Sequence, residues 1–223
     1  MAQAGIHGVV AQAIHKWVPG RTWLMLGIVF GSLFPDADNI LVAVATMTKQ
    51  STEGLHRTFT HSLTTALVLF LVFWAIGALS KQPRWTNFGA GFAIGIVMHA
   101  LLDLLIWFNG VQLFWPFPSW INFWEGIAVP AWFMTLMNPL EFLFLALFFY
   151  MLLALAQKYK TDSDFLRTLR VWMIVELALF VVFLPLLYTP VKIVYTVYGL
   201  LYLISLIAAL VITVRMRATV EAV

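Results

Sequence analysis

The chain has 223 residues, 62% of them hydrophobic and only 10% charged, whereas a soluble domain carries about 25% charged residues. That balance excludes a soluble enzyme and marks an integral membrane protein, and a net charge of +3 gives no reason to expect direct contact with nucleic acid. The absence of cysteine excludes disulfides and thiolate ligands, so any metal must be held by histidine and carboxylate.

Residues 1–17 lack the basic region, apolar core and cleavage site of a secretory signal and are expected in the mature protein. Residues 4–17 read as a half-length helix. "VPGR" at 18–21 is a turn signal, so 21–34 should return beside it as a hairpin arm. The apolar part of that arm, 22–34, is short and crosses a bilayer only by pairing with a neighbour. Residues 39–48 are shorter still and read as a re-entrant or interfacial piece. Five stretches reach the roughly 20 residues a span requires: 62–80, 88–108, 138–157, 171–189 and 193–214. No repeat or hydrophilic linker divides the chain. The expectation is a single all-α domain over 1–223, a polytopic transmembrane helix bundle with about six crossings plus the N-terminal half-length helix, in a bacterial-type inner or plasma membrane.

Assigning loops to alternate sides puts Lys16, Arg21, Lys81, Arg84, Lys158, Lys160, Arg167, Arg170, Arg215 and Arg217 on one side and Lys49, Arg57 and Lys192 on the other. The positive-inside rule makes the richer side cytoplasmic. Should 22–34 not cross, Lys16 and Arg21 change sides and the sign of the bias survives.

Against this apolar background, His7, Asp36, Asp38, His56, His61, His99 and Asp103 all fall in the first 103 residues. Helical rise predicts that they meet. His7 stands eleven residues above the hairpin bend, roughly 16 Å, and Asp36 is roughly 22 Å up the other arm. His99 and Asp103 lie roughly 16 and 22 Å along helix 88–108, which climbs from the same side. His61 opens the helix descending from the far side, and His56 sits in the loop before it. Seven ligand-type residues should thus share one level in the half of the membrane away from the cytoplasm.

The spacing of small residues supports that meeting. His99 and Asp103 are four apart and share a helix face, which continues through Gly95 and Gly91. Gly27, Gly31 and Pro35 repeat the spacing before Asp36. Small residues four apart let membrane helices approach closely, so the two helices should pack glycine face to glycine face. Pro35 should end its helix, leaving Asp36 and Asp38 in an extended turn pointing the same way.

Structural readings compete at each position. His15 reads as a packing residue on the cytoplasmic side. "PDAD" could be an interfacial turn, and in "HRTFTHS" Thr60 or Ser62 could cap the following helix while the basic groups meet lipid headgroups. His99 with Asp103 is harder to assign to packing, because ionisable residues within a bilayer are expensive and usually functional.

The early histidine, "PDAD", "HRTFTHS" and "HALLD", followed by "GVQLFWPF", together resemble the YdjM-like, inner-membrane-associated metal-dependent hydrolases, also labelled LexA-binding. The resemblance covers roughly residues 1–118, leaving 138–223 as helical scaffold. It implies a metal site built from His7, Asp36, Asp38, His56, His61, His99 and Asp103, and a hydrolytic activity. Asn39 departs from the family pattern, in which a histidine often follows the second aspartate. In residue types the set is also similar to zinc-dependent phospholipases C.

Four histidines and three aspartates exceed what one tetrahedral ion requires, so a pair of divalent ions is expected, zinc first with manganese or iron as alternatives. Such a pair could clamp both oxygens of a phosphoester displacement. Asp36 or Asp38 could bridge it, and Arg57 could hold a phosphate or serve a lipid headgroup or helix cap. A site below the far interface favours lipid over soluble polymers as substrate. Eight Phe and Trp residues lie between Phe114 and Phe133 with Pro116, Pro118 and Pro130, a composition suited to an interfacial segment that gates lipid entry or to a plain aromatic belt. Glu125 and Glu141, on the same side, are candidate acid/base groups or further ligands. The expected function is therefore a lipid phosphoester hydrolase; a non-catalytic, partner-binding anchor with a structural metal, and a transporter, are the alternatives. Carboxylates crowded round the histidines argue against haem, and 138–223 lacks the matching half that a repeat-built transporter would show.

Overall fold

The computed structural model describes residues 4–222. The helices are α1 (Ala4–Ala13), α2 (Leu24–Leu33), α3 (Asn39–Met47), α4 (Leu63–Ser80), α5 (Pro83–Ile106), α6 (Ala131–Tyr159), α7 (Leu166–Leu186), α8 (Lys192–Arg215) and α9 (Arg217–Val220). No β-strand forms among the described residues; a single antiparallel bridge joins Val111 to Ile121. Among the described residues six segments are long and apolar enough to cross a membrane, Leu24–Met47, Leu63–Ser80, Pro83–Ile106, Ala131–Tyr159, Ser163–Leu186 and Lys192–Arg215.

The boundaries follow local chemistry. Ser62 caps α4 by accepting a hydrogen bond from the Thr65 N–H at 3.0 Å. Lys81 ends α4 in the left-handed conformation, and Pro83 opens α5 at the first helical turn, where its missing N–H is no loss. The predicted hairpin also forms: α1 passes through a 3₁₀ turn, Ile14–Trp17, before the chain reverses into α2. At the start of α2 the Glu221 carboxylate, from beyond α9, accepts hydrogen bonds from the Trp23 and Leu26 N–H groups.

The short segments 22–34 and 39–48 are not separate pieces. A 3₁₀ turn, Phe34–Asp38, joins α2 directly to α3, and the whole run Leu24–Met47 is one 24-residue apolar span. Pro35 therefore does not end the helical path. Its fixed φ suits a 3₁₀ turn as well as an α-turn, and the Asn39 amide donates to the Asp36 carbonyl at 2.9 Å, carrying the chain onward.

The glycine faces of α2 and α5 meet as predicted. A Cβ on Gly95 would stand 2.7 Å from Gly31 C and from Ser32 N, and one on Gly91 would overlap the backbone at Leu24. Backbone lies against backbone here, the closeness that small residues permit in membrane helix pairs. On the other side of the molecule α6, α7 and α8 are joined by Phe142, Phe183 and Tyr198, whose rings lie 5.3–5.8 Å apart. α1 lies between the two groups, touching α6, α2 and α5.

Candidate metal centre

Four chain segments deliver the polar residues to one place: α1 brings His7, the 3₁₀ turn after α2 brings Asp36 and Asp38, the 56–61 segment brings His56, Arg57 and His61, and α5 brings His99 and Asp103. All but His56 are buried, with His61 at 0% and Asp36, His99 and Asp103 at 1% exposure. The convergence anticipated from helical rise is therefore present among all seven.

Within the group, distances separate two kinds of contact. His61 Nε2 lies 3.7 Å from Asp36 Oδ1 and 3.6 Å from Asp103 Oδ2. His99 Nε2 lies 3.6 Å from Asp36 Oδ1 and 3.9 Å from Asp103 Oδ2. Hydrogen bonds of this type are about 2.7–3.2 Å long, so these four atoms are too far apart to bond one another. They also have no hydrogen-bond partner elsewhere. Four atoms placed tetrahedrally about a zinc-type ion at about 2.0–2.1 Å would be separated by about 3.3–3.4 Å, close to the observed edges. Two nitrogens and two carboxylate oxygens, buried, without hydrogen bonds and with nitrogen–oxygen distances of 3.6–3.9 Å, fit a divalent cation, with Arg57 Nε facing Asp103 Oδ2 at 3.4 Å. Without one, Asp36 would hold two unpaired oxygens in the membrane interior.

The remaining groups fix the four. His99 Nδ1–H donates to the Ser32 carbonyl at 2.7 Å, which directs Nε2 toward the cage. His7 stacks on His99 with ring centres 3.6 Å apart and bonds Asp103 Oδ1 through Nε2 at 3.1 Å. Asp38 is engaged entirely with protein donors: Oδ1 accepts from His56 Nδ1 at 2.7 Å, and Oδ2 accepts from the Thr60 hydroxyl at 2.7 Å and the Arg57 N–H at 3.3 Å. The Thr60 oxygen in turn lies 2.9 Å from His61 Nδ1, so a proton on Nδ1 leaves His61 Nε2 free to face the cage. Burial alone would discharge His61, but the Asp36 and Asp38 carboxylates beside it raise it to about 9. A cation entering the cage competes with that proton.

Asp36 and Asp38 thus do not point the same way. In a 3₁₀ turn, residues two apart are separated by about 240° around the axis, and the two carboxylates flank His61 at opposite ring nitrogens. Asp38, His56 and His61 still form a three-residue grouping of ligand atoms, beside those of Asp36, His61 and His99 and of His7, His99 and Asp103. Replacing Asp38 with alanine is expected to weaken metal binding roughly 10–100-fold, the usual effect of losing an outer-shell partner, while leaving the stoichiometry at the inner cage unchanged. Competition with a chelating indicator measures the affinity; a loss of stoichiometry instead would make Asp38 a direct ligand.

Arg57 is buried in the left-handed conformation, with φ 61°. Its Nε lies 3.4 Å from Asp103 Oδ2, Nη1 donates to the Asn109 carbonyl at 3.3 Å, and the guanidinium lies over Trp107 at 5.1 Å. Nη2 is buried without a partner. The segment after α5 closes over this arginine: Gln112 N–H donates to the Arg57 carbonyl, and Leu63 N–H to the Leu113 carbonyl, both at 2.9 Å. Its aromatics Phe114, Phe117, Trp120 and Phe123 stand exposed. Glu125 is exposed on the same segment, outside the network of contacts around the cage. Glu141 lies in α6, its two oxygens each 3.1 Å from the Gly5 N–H. His15 Nδ1–H donates to the Gln12 carbonyl at 3.1 Å, away from the cage, as a packing residue would. Sequence reasoning did not find Ser32 and Thr60 as orienting groups. A backbone carbonyl carries no residue signature, and Thr60 read equally well as a helix cap.

A family model describing the YdjM inner membrane protein matches residues 3–220, well beyond the 1–118 portion that the motifs cover. No curated protein and no solved structure proved similar to the chain.

Proposed function

The chain belongs to the YdjM inner membrane protein family, and from its buried cage we propose that it is a membrane-embedded, metal-dependent hydrolase acting on a phosphoester or related bond of a lipid. The observation that carries this reading is the set of four unpartnered atoms, Asp36 Oδ1, His61 Nε2, His99 Nε2 and Asp103 Oδ2, with edges of 3.6–3.9 Å. Zinc is the first candidate occupant, with manganese or iron as alternatives for a histidine and carboxylate set. The Asp38, His56 and His61 grouping would hold a second ion only by giving up the hydrogen bonds that Asp38 receives from His56 and Thr60. A bound divalent cation supplies Lewis-acid polarisation of a phosphoryl oxygen.

The protein's own residues would do the rest. Arg57, held rigid by Asp103, Asn109 and Trp107, keeps one N–H group free beside the cage to bind a phosphoryl oxygen. Asp36, whose Oδ2 accepts no hydrogen bond, would take a proton from the attacking water, whereas both Asp38 oxygens are already occupied. The aromatic segment 114–133 would lie in the interface, where headgroups arrive. The excess of basic residues on the loops assigned to the other side favours, by the positive-inside rule, a site toward the non-cytoplasmic side.

A second reading has an observation in its favour. Four protein atoms with nitrogen–oxygen distances of 3.6–3.9 Å would supply every position of a tetrahedral shell, and closed shells belong to structural ions. In that case the protein would be an anchor for a partner.

The two readings separate in one experiment. Purified, zinc-loaded protein is incubated with vesicles of phosphatidylethanolamine and phosphatidylglycerol, and products are followed by mass spectrometry. The hydrolase reading expects headgroup or phosphate release that falls at least about 100-fold in Arg57→Ala while bound zinc is unchanged. Stoichiometric zinc without any lipid product would leave the anchor reading standing and end the enzymatic one.

A further inference from the structure

Glu141 belongs to α6, in the half of the chain that carries none of the cage residues, yet it reaches the metal half. Both its oxygens lie 3.1 Å from the Gly5 N–H, and its exposure is 0%. Gly5 lies in the first described turn of α1, where its N–H donates to the Glu141 carboxyl group and backbone groups need partners within the protein. Ala4, Gly5, His7 and Gly8 are all buried, so water cannot serve those groups. In the interior of a membrane an unsatisfied N–H costs several kcal/mol, and a carboxylate at a helix N-terminus is favoured by the helix dipole.

The same contact fixes position as well as satisfying a donor. A Cβ on Gly5 would stand 2.6 Å from Leu145 N and 2.8 Å from Phe144 Cβ, so α1 is pressed against the α6 backbone at this point. His7, two residues on, stacks on His99 and bonds Asp103 Oδ1, whose other oxygen forms a corner of the cage. α1 meets α6 through this bond and through the close packing of Gly5, while the His7 side chain bonds Asp103.

We infer that Glu141 is a positioning residue: by holding the first turn of α1 it sets His7 against Asp103 and His99, coupling the C-terminal helices to the metal centre. The inference deepens the metal-centre reading and rests on it for its consequence, but His7 placement can be read with no metal at all.

The test uses the full-length protein in detergent with Glu141→Ala, Glu141→Gln, His7→Ala and the Glu141→Ala/His7→Ala double variant. Metal-free protein is treated with diethyl pyrocarbonate, and modified histidines are located by peptide mass spectrometry. In wild type His7, His61 and His99 should all be protected. Glu141→Ala should expose His7 alone, raising its modification at least about 10-fold, and Glu141→Gln, which keeps an acceptor oxygen, should restore protection. Zinc affinity should fall to a similar extent in Glu141→Ala and His7→Ala, with no further fall in the double variant, as expected when two residues act through one interaction. Should Glu141→Ala not fold, Glu141→Gln and Glu141→Leu are compared in its place, with the same expectation of protection kept and lost. Continued protection of His7 without the carboxylate, equal exposure of all three histidines, or additive losses in the double variant would overturn the assignment. Zinc absent from wild type would count against the metal centre while leaving the His7 result to decide the role of Glu141.

Discussion

Purified His99→Ala and Asp36→Ala proteins are expected to contain no stoichiometric zinc, while wild type retains it through dialysis. Each substitution removes one of the four cage atoms, and the loss should exceed the roughly 10–100-fold expected of an outer-shell partner. The two differ in what else they disturb. His99 also bonds the Ser32 carbonyl and stacks on His7, so its removal unties α5 from α2 and α1 and should lower thermal stability in the metal-free state. Asp36 has no hydrogen bond to lose. Removing its carboxylate takes away charge contacts with His61 and His99 at 3.6–3.7 Å but no hydrogen bond, so the metal-free protein should lose less thermal stability than His99→Ala does. Elemental analysis and thermal melts with and without chelator measure both effects. Equal zinc in all three proteins would refute the cage.

A single methyl group at Gly95 should be nearly as damaging. Gly95→Ala places a Cβ 2.7 Å from Gly31 C and Ser32 N, and neither atom can yield, because both are backbone of α2. The helices must separate by several tenths of an ångström, which breaks the close packing and moves Ser32 away from His99. Overpacking of this kind costs about 1–3 kcal/mol, and the strain falls directly beneath the cage, so zinc affinity should drop with the melting temperature. Gly199→Ala is the control: a Cβ there meets nothing within 4 Å, and alanine favours a helix over glycine by about 1 kcal/mol. Gly199→Ala should melt at or above wild type. If both variants behave alike, the glycine interface is not what holds α2 to α5.

The difference between these two glycines shows where reading the sequence succeeds. The four-residue spacing of Gly27 and Gly31 against Gly91 and Gly95 is a local pattern, and it identified the α2/α5 contact because only backbone proximity makes a run of glycines useful in a membrane helix. No partner pattern announces Gly5 and Gly8 against α6, where Phe144, Leu145 and Phe148 are ordinary apolar residues and Glu141 stands alone among them.

Composition and periodicity by themselves determined that the protein is helical and lives in a membrane, because the hydrocarbon core leaves the backbone few other ways to satisfy its polar groups. They also determined which seven residues gather, since helical rise and turn position set depth with little regard to neighbours. The tertiary structure alone decided how those seven divide. The 3₁₀ turn at Pro35 rotates Asp38 away from Asp36, and bonds to Thr60, His56 and the Arg57 backbone occupy Asp38 while Asp36 is left bare. It likewise decided that α6, read as scaffold, sends Glu141 to the first turn of α1. Directions of side chains depend on rotamers and long-range packing, and the order of residues along the chain encodes these only through the whole fold.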